Sequence, residues 1–309
     1  MNDAARAKND EFYTQYADIQ RELNCYYNYD KNFLRGKTVL LPCDDPQRSN
    51  FTKFFADNFE LYGLKKLIST GYAFGSRGKI FTLDAADYHL DALKDNWQYL
   101  RGDGDFRSAE VKALRDAADV IITNPPFSMF RQFLKWILDA DKKFLIIGNM
   151  NAVTYKEIFP LIMQNKIWLG NGFRGGDPSF TVPDDYEEKS SRFWIDERGQ
   201  KWRSFGNLHW FTNLDLRKRH EDILLYMNYS PELYPRYDNY DAIEVSKTAE
   251  IPCDWFGVMG VPITFLDKYN PAQFEIVGKI DSGAIDKYNL ANPIVDGKSK
   301  YKRIAIRRR

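Results

Sequence analysis

The sequence predicts an α/β chain built on a doubly wound, mainly parallel sheet, and three observations predict it. Short apolar runs at 38–41, 120–123 and 144–147 alternate with segments whose apolar residues recur at helical spacing. A loop carrying Asp44 and Asp45 separates the first such strand from the first amphipathic helix, where a doubly wound sheet binds its ligands. The charge-free strand 120–123 runs into Pro125 and Pro126 just before a helical pattern begins, so a strand's carboxyl end carries a rigid corner.

Size and composition bound the rest. The 309 residues suffice for one large domain or for a catalytic domain with a smaller companion. A change of texture after residue 170 sets the expected division at 1–170 and 171–309. Hydrophobic residues make up 44% and aromatics 16%, enough for a sizeable core. Lys and Arg number 44 against 43 Asp and Glu, so any basic face for nucleic acid must be local. Cys25, Cys43 and Cys253 are scattered, which excludes a disulfide framework or a four-cysteine zinc site and points to a reduced, cytoplasmic setting. The polar start at 1–10 is not a signal peptide, no apolar run approaches membrane-spanning length, and no metal ligand set is visible.

Taken in order, 9–14 lead into a short helix over 16–23. Residues 37–42 form a strand that stops at Cys43-Asp44-Asp45-Pro46. Residues 49–59 form a helix with Phe51, Phe54, Phe55 and Phe59 on one face and Ser49 as its cap. A second strand is expected over 63–70 and a short β-rich run over 79–83, with polar loop or irregular helix over 87–97. Gly102-Asp103-Gly104-Asp105-Phe106 lets backbone approach a ligand, with Asp105 as an acceptor and Phe106 as a ring to stack on. Beyond the strand 120–123 come a helix over 128–138, a strand over 143–148, a helix over 155–164 and a strand over 166–169. Loop, acidic and aromatic–basic pieces follow, among them Arg192-Phe193-Trp194, Lys201-Trp202-Arg203, His209-Trp210-Phe211 and the cluster 216–220; cations interleaved with aromatics suit a nucleic-acid groove. The run 258–265 is expected to be buried, and the basic tail 300–309 to form a strand.

The chemistry of Asn124-Pro125-Pro126-Phe127 follows from its residue types. An exocyclic amine on a nucleobase is a poor nucleophile because its lone pair is delocalised into the ring. A site that alkylates it must accept both amine protons. The Asn124 side-chain oxygen is one acceptor and the Pro125 carbonyl, held by the prolines, is the other. Phe127 offers a flat face to an extruded base.

These residues resemble the (Asp/Asn/Ser)-Pro-Pro-(Tyr/Phe/Trp) signature of amino-methyltransferases that use S-adenosylmethionine; Asn-Pro-Pro-Phe is typical of those acting on adenine N6. Pro42-Cys43-Asp44-Asp45-Pro46, the segment 102–106 and the stretch 258–278 resemble the EcoRI-type adenine-specific DNA methyltransferases, and the likeness runs from Asn9 through the tail. The usual Gly-rich cofactor loop is absent, and in that branch the Pro-Cys-Asp-Asp form replaces it.

The resemblance implies a Rossmann-like, class I methyltransferase core with a smaller α+β target-recognition region, which the order of the segments alone places in roughly 170–291. It implies S-adenosylmethionine as cofactor and methyl transfer to N6 of an adenine flipped out of double-stranded DNA. Asn124, Pro125, Pro126 and Phe127 are the expected catalytic residues. Pro42, Cys43, Asp44, Asp45, Asp103, Asp105 and Phe106 are the expected cofactor-binding residues, with either Asp44 or Asp45 on the methionine ammonium. Tyr13 and Thr14 join them because they match two positions of a Tyr-Thr-Pro element that folds over the cofactor in relatives. The acid that holds the cofactor ribose is unassigned: Thr70 and Gly71 occupy its usual place, and Asp84 is a candidate. A cognate restriction endonuclease, not physically associated, is a further implied partner; a membrane is not, and a monomer is the default. An RNA adenine or protein glutamine substrate, or an inactive DNA-binding protein of the same fold, are the alternatives.

Overall fold

The computed structural model describes residues 12–86, 97–173, 178–184, 186, 191–280 and 293–309. The readings made for 9–11, for most of the polar stretch 87–97, and for parts of the loop and acidic segments between 174 and 190 lie outside the described residues. The chain divides into two units, Met1–Met150 with Gly170–Leu214, and Asn151–Leu169 with Asp215–Arg309. The expected boundary at 170 coincides with one passage of the chain between them, but the chain passes between units at 150 and 214 as well.

The first unit is mixed α/β. Helix α1 (Tyr16–Tyr29) leads to β1 (Thr38–Leu41), whose side chains are all buried. The loop then enters α2 (Asn50–Asp57), where Ser49 Oγ accepts from the Phe51 N–H at 3.0 Å as the expected cap. A short helix α3 (Phe59–Tyr62) ends on Gly63 at φ 59°, a left-handed conformation that glycine adopts without strain. Strand β2 (Lys66–Gly71), β3 (Lys79–Asp84) and β4 (Trp97–Tyr99) follow, then α4 (Ala109–Ala117), capped by Ser108 and not anticipated from the sequence. Strand β5 (Val120–Thr123) and α5 (Phe130–Leu138) flank the proline corner, and β6 (Lys143–Asn149) comes next.

In the large sheet these strands lie in the order β4-β3-β2-β1-β5-β6, and β6 is followed by β11 (Leu208–Thr212). Strands β2, β1, β5 and β6 are mutually parallel, whereas β3 pairs antiparallel with β2, β4 antiparallel with β3, and β11 antiparallel with β6. The sheet is therefore mixed, parallel only at its centre. The cause is connection length. Only residues 72–78 join β2 to β3, too few for the crossover that a parallel pair requires.

A 3-stranded antiparallel sheet completes this unit, in the order β8 (Ser179–Thr181), β10 (Lys201–Ser204), β9 (Phe193–Ile195). Tyr13 bridges to Thr181 at its β8 edge. Within the aromatic–basic segments burial divides: Trp194 is exposed, while His209-Trp210-Phe211 lies in the large sheet. Trp210 and Phe211 are fully buried in β11, so they are core rather than a stacking surface.

In the second unit the expected helix 155–164 shortens to α6 (Phe159–Met163), because Pro160 lies in its first turn and tolerates no helical turn before it. Strand β7 (Trp168–Leu169) follows. A 5-stranded sheet runs β12 (Arg236–Tyr237), β13 (Tyr240–Glu244), β14 (Met259–Pro262), β18 (Arg303–Arg308), β15 (Phe274–Ile280). Strands β16 (Ile294–Val295) and β17 (Lys298–Ser299) pair with each other. The basic tail is thus an inner strand, paired on both sides, with Ile304, Ala305 and Ile306 buried. Among the described residues no helix is long and apolar enough to cross a membrane, and no group of three His, Cys, Asp or Glu could hold a metal ion.

Candidate active site at the ends of the parallel strands

Strands β1 and β5 are parallel neighbours, with Val39 beside Val120 and Leu40 beside Ile121. Continued upward, that register brings the loop after β1 against the residues after β5. Thr123, the last residue of β5, donates from Oγ1 to Asp44 Oδ2 at 2.6 Å. Ser49 donates from Oγ to Asp44 Oδ1 at 2.6 Å, and Ser69 donates to the Asp44 carbonyl at 2.6 Å. Asp44 is buried, and burial pushes its carboxyl up to about 7, with the Ser49 and Thr123 hydrogen bonds holding it down in part. No cation neutralises it among the hydrogen-bond and ion-pair partners described.

Its neighbour Asp45 is more open and pairs with Lys79 Nζ at 3.2 Å. Pro42 offers its carbonyl to the Thr70 hydroxyl at 3.2 Å, and burial pushes the Cys43 thiol well up. The missing loop glycine has a counterpart across the sheet. A Cβ at Gly71 would lie 2.9 Å from the Asp45 Cα, so β2 must end in glycine for the loop to settle against it.

The 102–106 segment comes to the same end of the sheet. Gly104, at φ 84°, would place a Cβ 2.5 Å from the Gly71 carbonyl oxygen, and the Ala73 N–H donates to the Asp103 carbonyl at 2.8 Å. Asp105 accepts from Arg107 Nε at 2.9 Å, and that contact holds its carboxyl below the ordinary range. Phe106 is only 5% exposed; its ring packs edge-on against Phe133 at 5.0 Å and Trp136 at 5.6 Å, a core position. Asp84 is not in this cluster. Because β3 runs antiparallel, Asp84 lies beside Lys66 at the opposite end of β2 and pairs with it at 3.2 Å.

The Asn-Pro-Pro-Phe corner stands next to Asp44. Asn124 Nδ2 donates to the Phe12 carbonyl at 2.8 Å, whereas Asn124 Oδ1 is buried without a hydrogen-bond partner among the described residues. Pro125 is buried and Phe127 half-buried. The Phe127 ring stacks on Phe12, with centroids 5.4 Å apart and planes 13° apart, and meets Phe205 edge-on at 5.4 Å. Thr14 follows Phe12 and Tyr13; its carbonyl accepts from Asn50 Nδ2 at 2.8 Å, and its own buried hydroxyl is unpartnered among the described residues.

Orphaned buried polar atoms are costly and seldom idle. Here the Thr14 hydroxyl, the Asn124 oxygen and the raised Asp44 carboxyl all belong to the corner where the loops after β1 and β5 meet. A ligand bearing a cation and hydrogen-bond donors fits this set. The residues that sequence reasoning passed over are Thr123, Phe12 and Gly71. Placing β1 beside β5 would have singled out Thr123; the Phe12 carbonyl left no sequence signal.

A family model described as adenine-specific methyltransferase EcoRI matches residues 1–309. The Type II methyltransferase M.EcoRI of Escherichia coli is 45% identical over 320 residues, covering 99% of this chain and 95% of that protein. M.MpnI of Mycoplasma pneumoniae is 36% identical over 100% of the chain and 98% of its own length. M.MgeORF184P of Mycoplasma genitalium is 37% identical with the same coverage of each. No solved structure matches the chain.

Proposed function

The chain belongs to the EcoRI-type adenine-specific methyltransferase family, and from that premise we propose that it transfers a methyl group from S-adenosylmethionine to N6 of an adenine flipped out of double-stranded DNA. The relatives are named Type II methyltransferases, which carries the reading to DNA and to restriction–modification rather than to RNA or protein glutamine. The observation that carries the chemistry is the Asn124 oxygen, buried and unpartnered beside the proline corner.

Bound S-adenosylmethionine supplies an electrophilic methyl on a sulfonium centre. The chain's own residues then do the rest. Asn124 Oδ1 and the Pro125 carbonyl accept the two amine protons and draw the nitrogen lone pair out of the ring. Phe127 stacks on the extruded base with the face that Phe12 leaves uncovered. Catalysis is alignment, so no general base is required before the methyl arrives.

On the cofactor side, the Asp44 carboxyl suits the methionine ammonium, because a buried acid raised to about 7 gains most from a cation. Thr14 offers its unpartnered hydroxyl, and Pro42, Cys43, Asp45, Asp103, Asp105 and Tyr13 are assigned to the cofactor with it. Phe106 supports that wall from the core. The parallel centre β2-β1-β5-β6 supports a doubly wound, Rossmann-like core. Target recognition is assigned to the segments after Gly170 that lie outside the large sheet.

The test is direct. The protein expressed in a host lacking adenine methylation should mark a defined sequence with N6-methyladenine, read by single-molecule sequencing. Asn124→Ala should abolish the mark while cofactor binding persists; an undiminished mark would remove the proposed chemistry.

A further inference from the structure

Asn124 is ambiguous for the work assigned to it. Its amide has an acceptor and a donor of almost the same shape, and only the oxygen can receive an amine proton. Turned over, the same side chain would aim N–H groups at the substrate amine and repel it. A second contact has to decide which end faces the substrate.

The N-terminal arm makes that contact. The backbone carbonyl of Phe12 lies 2.8 Å from Asn124 Nδ2. A carbonyl carries only lone pairs, so the amide must turn its NH2 toward it; chemistry dictates the orientation. Oδ1 is then left buried with no partner, as an amine acceptor should be.

Phe12 itself is held on several sides. Its ring stacks on Phe127 and meets Phe205 edge-on at 4.5 Å and Tyr186 at 6.0 Å. The next residue, Tyr13, exchanges main-chain hydrogen bonds with Thr181 at 2.8 and 3.2 Å. The carbonyl therefore cannot drift from Asn124 without breaking both an aromatic cluster and a β-bridge.

We propose that Phe12 is a positioning residue for methyl transfer: its carbonyl selects the Asn124 orientation that receives the amine, and its ring fixes that carbonyl. This rests on the reading of Asn124 as amine acceptor. It has a consequence for aspartate, which the general motif tolerates. An ionised Asp at 124 would set one carboxylate oxygen against the Phe12 carbonyl, so the buried acid should prefer its neutral form. Protonated, it donates to Phe12 and keeps one oxygen for the amine, as Asn does.

The experiment uses the full chain, a duplex bearing its mapped target, and three variants. Phe12→Ala should lower kcat by about 10- to 100-fold, the scale of a small misplacement of a reacting group. Its cofactor affinity should change little, and the Asn124 side-chain amide should lose protection from hydrogen exchange in 15N spectra. Asn124→Asp should regain activity relative to the parent as pH falls. Unchanged kcat and protection in Phe12→Ala overturn the proposal, as does an Asn124→Asp to parent ratio that ignores pH. If Phe12→Ala fails to bind cofactor at all, the Asn124→Asp profile decides. Full methylation by Asn124→Ala would instead sink the site assignment itself, which separates the two failures.

Discussion

The Thr123 hydroxyl donates to Asp44 Oδ2 across 2.6 Å and so joins the residue before Asn124 to the loop after β1. One short hydrogen bond ties the corner proposed to handle the amine to the loop proposed to hold the cofactor. A methyl transfer needs donor and acceptor fixed in line, and this contact sets one against the other.

Thr123→Val keeps the shape of the side chain and removes the donor. Both partners are buried, so the loss should cost about 1–3 kcal/mol of stability. Cofactor affinity should fall as well, since Asp44 is freed to turn. Denaturant unfolding and calorimetric titration measure the two effects; a variant equal to the parent in both would show the bond to be incidental.

Asp44 predicts a pH dependence with a definite sign. Its folded value of about 7 lies above the ordinary carboxyl value of about 3.9, so the folded state favours the neutral acid. That stabilisation is complete below the ordinary value and is lost as pH rises from there through about 7. Ligand-free stability should decline across that window, and Asp44→Asn should flatten the decline. Affinity for S-adenosylmethionine should rise over the same range in the parent and not in Asp44→Asn, because the cation prefers the ionised form.

Gly71→Ala tests the counterpart of the missing loop glycine. Its Cβ would meet the Asp45 backbone at 2.9 Å, and overpacking of this kind costs about 1–3 kcal/mol. The displaced loop should weaken cofactor binding more than DNA binding. Equal losses in the two titrations would argue for general unfolding.

In the second unit Glu244 is buried and accepts from Arg303 Nη2 at 2.6 Å and from the Tyr237 hydroxyl. Arg303→Met strands a buried carboxylate and should cost about 3–5 kcal/mol. The double variant with Glu244→Gln should recover part of that loss in thermal unfolding. Recovery is expected because the penalty lies in the uncompensated charge, not in the missing ion pair.

By itself the sequence determined the strands expected over 37–42, 120–123 and 143–148 to within a residue, the Ser49 cap, the Asn-Pro-Pro-Phe corner and the buried, stranded carboxyl-terminal region. Each of these is written in a local pattern: β-branched runs, a cap residue, prolines that stop a ladder. Tertiary structure decided the mixed edges of the sheet, the burial of Trp210 and Phe211 and the core position of Phe106. It also decided the pairing of Thr123 with Asp44, 79 residues away, and of Phe12 with Asn124, 112 residues away. Those contacts depend on which strands lie side by side and on where a backbone carbonyl points. Neither is a property of any window of sequence, because a main-chain oxygen is the same in every residue and strand order is chosen by packing of the whole unit.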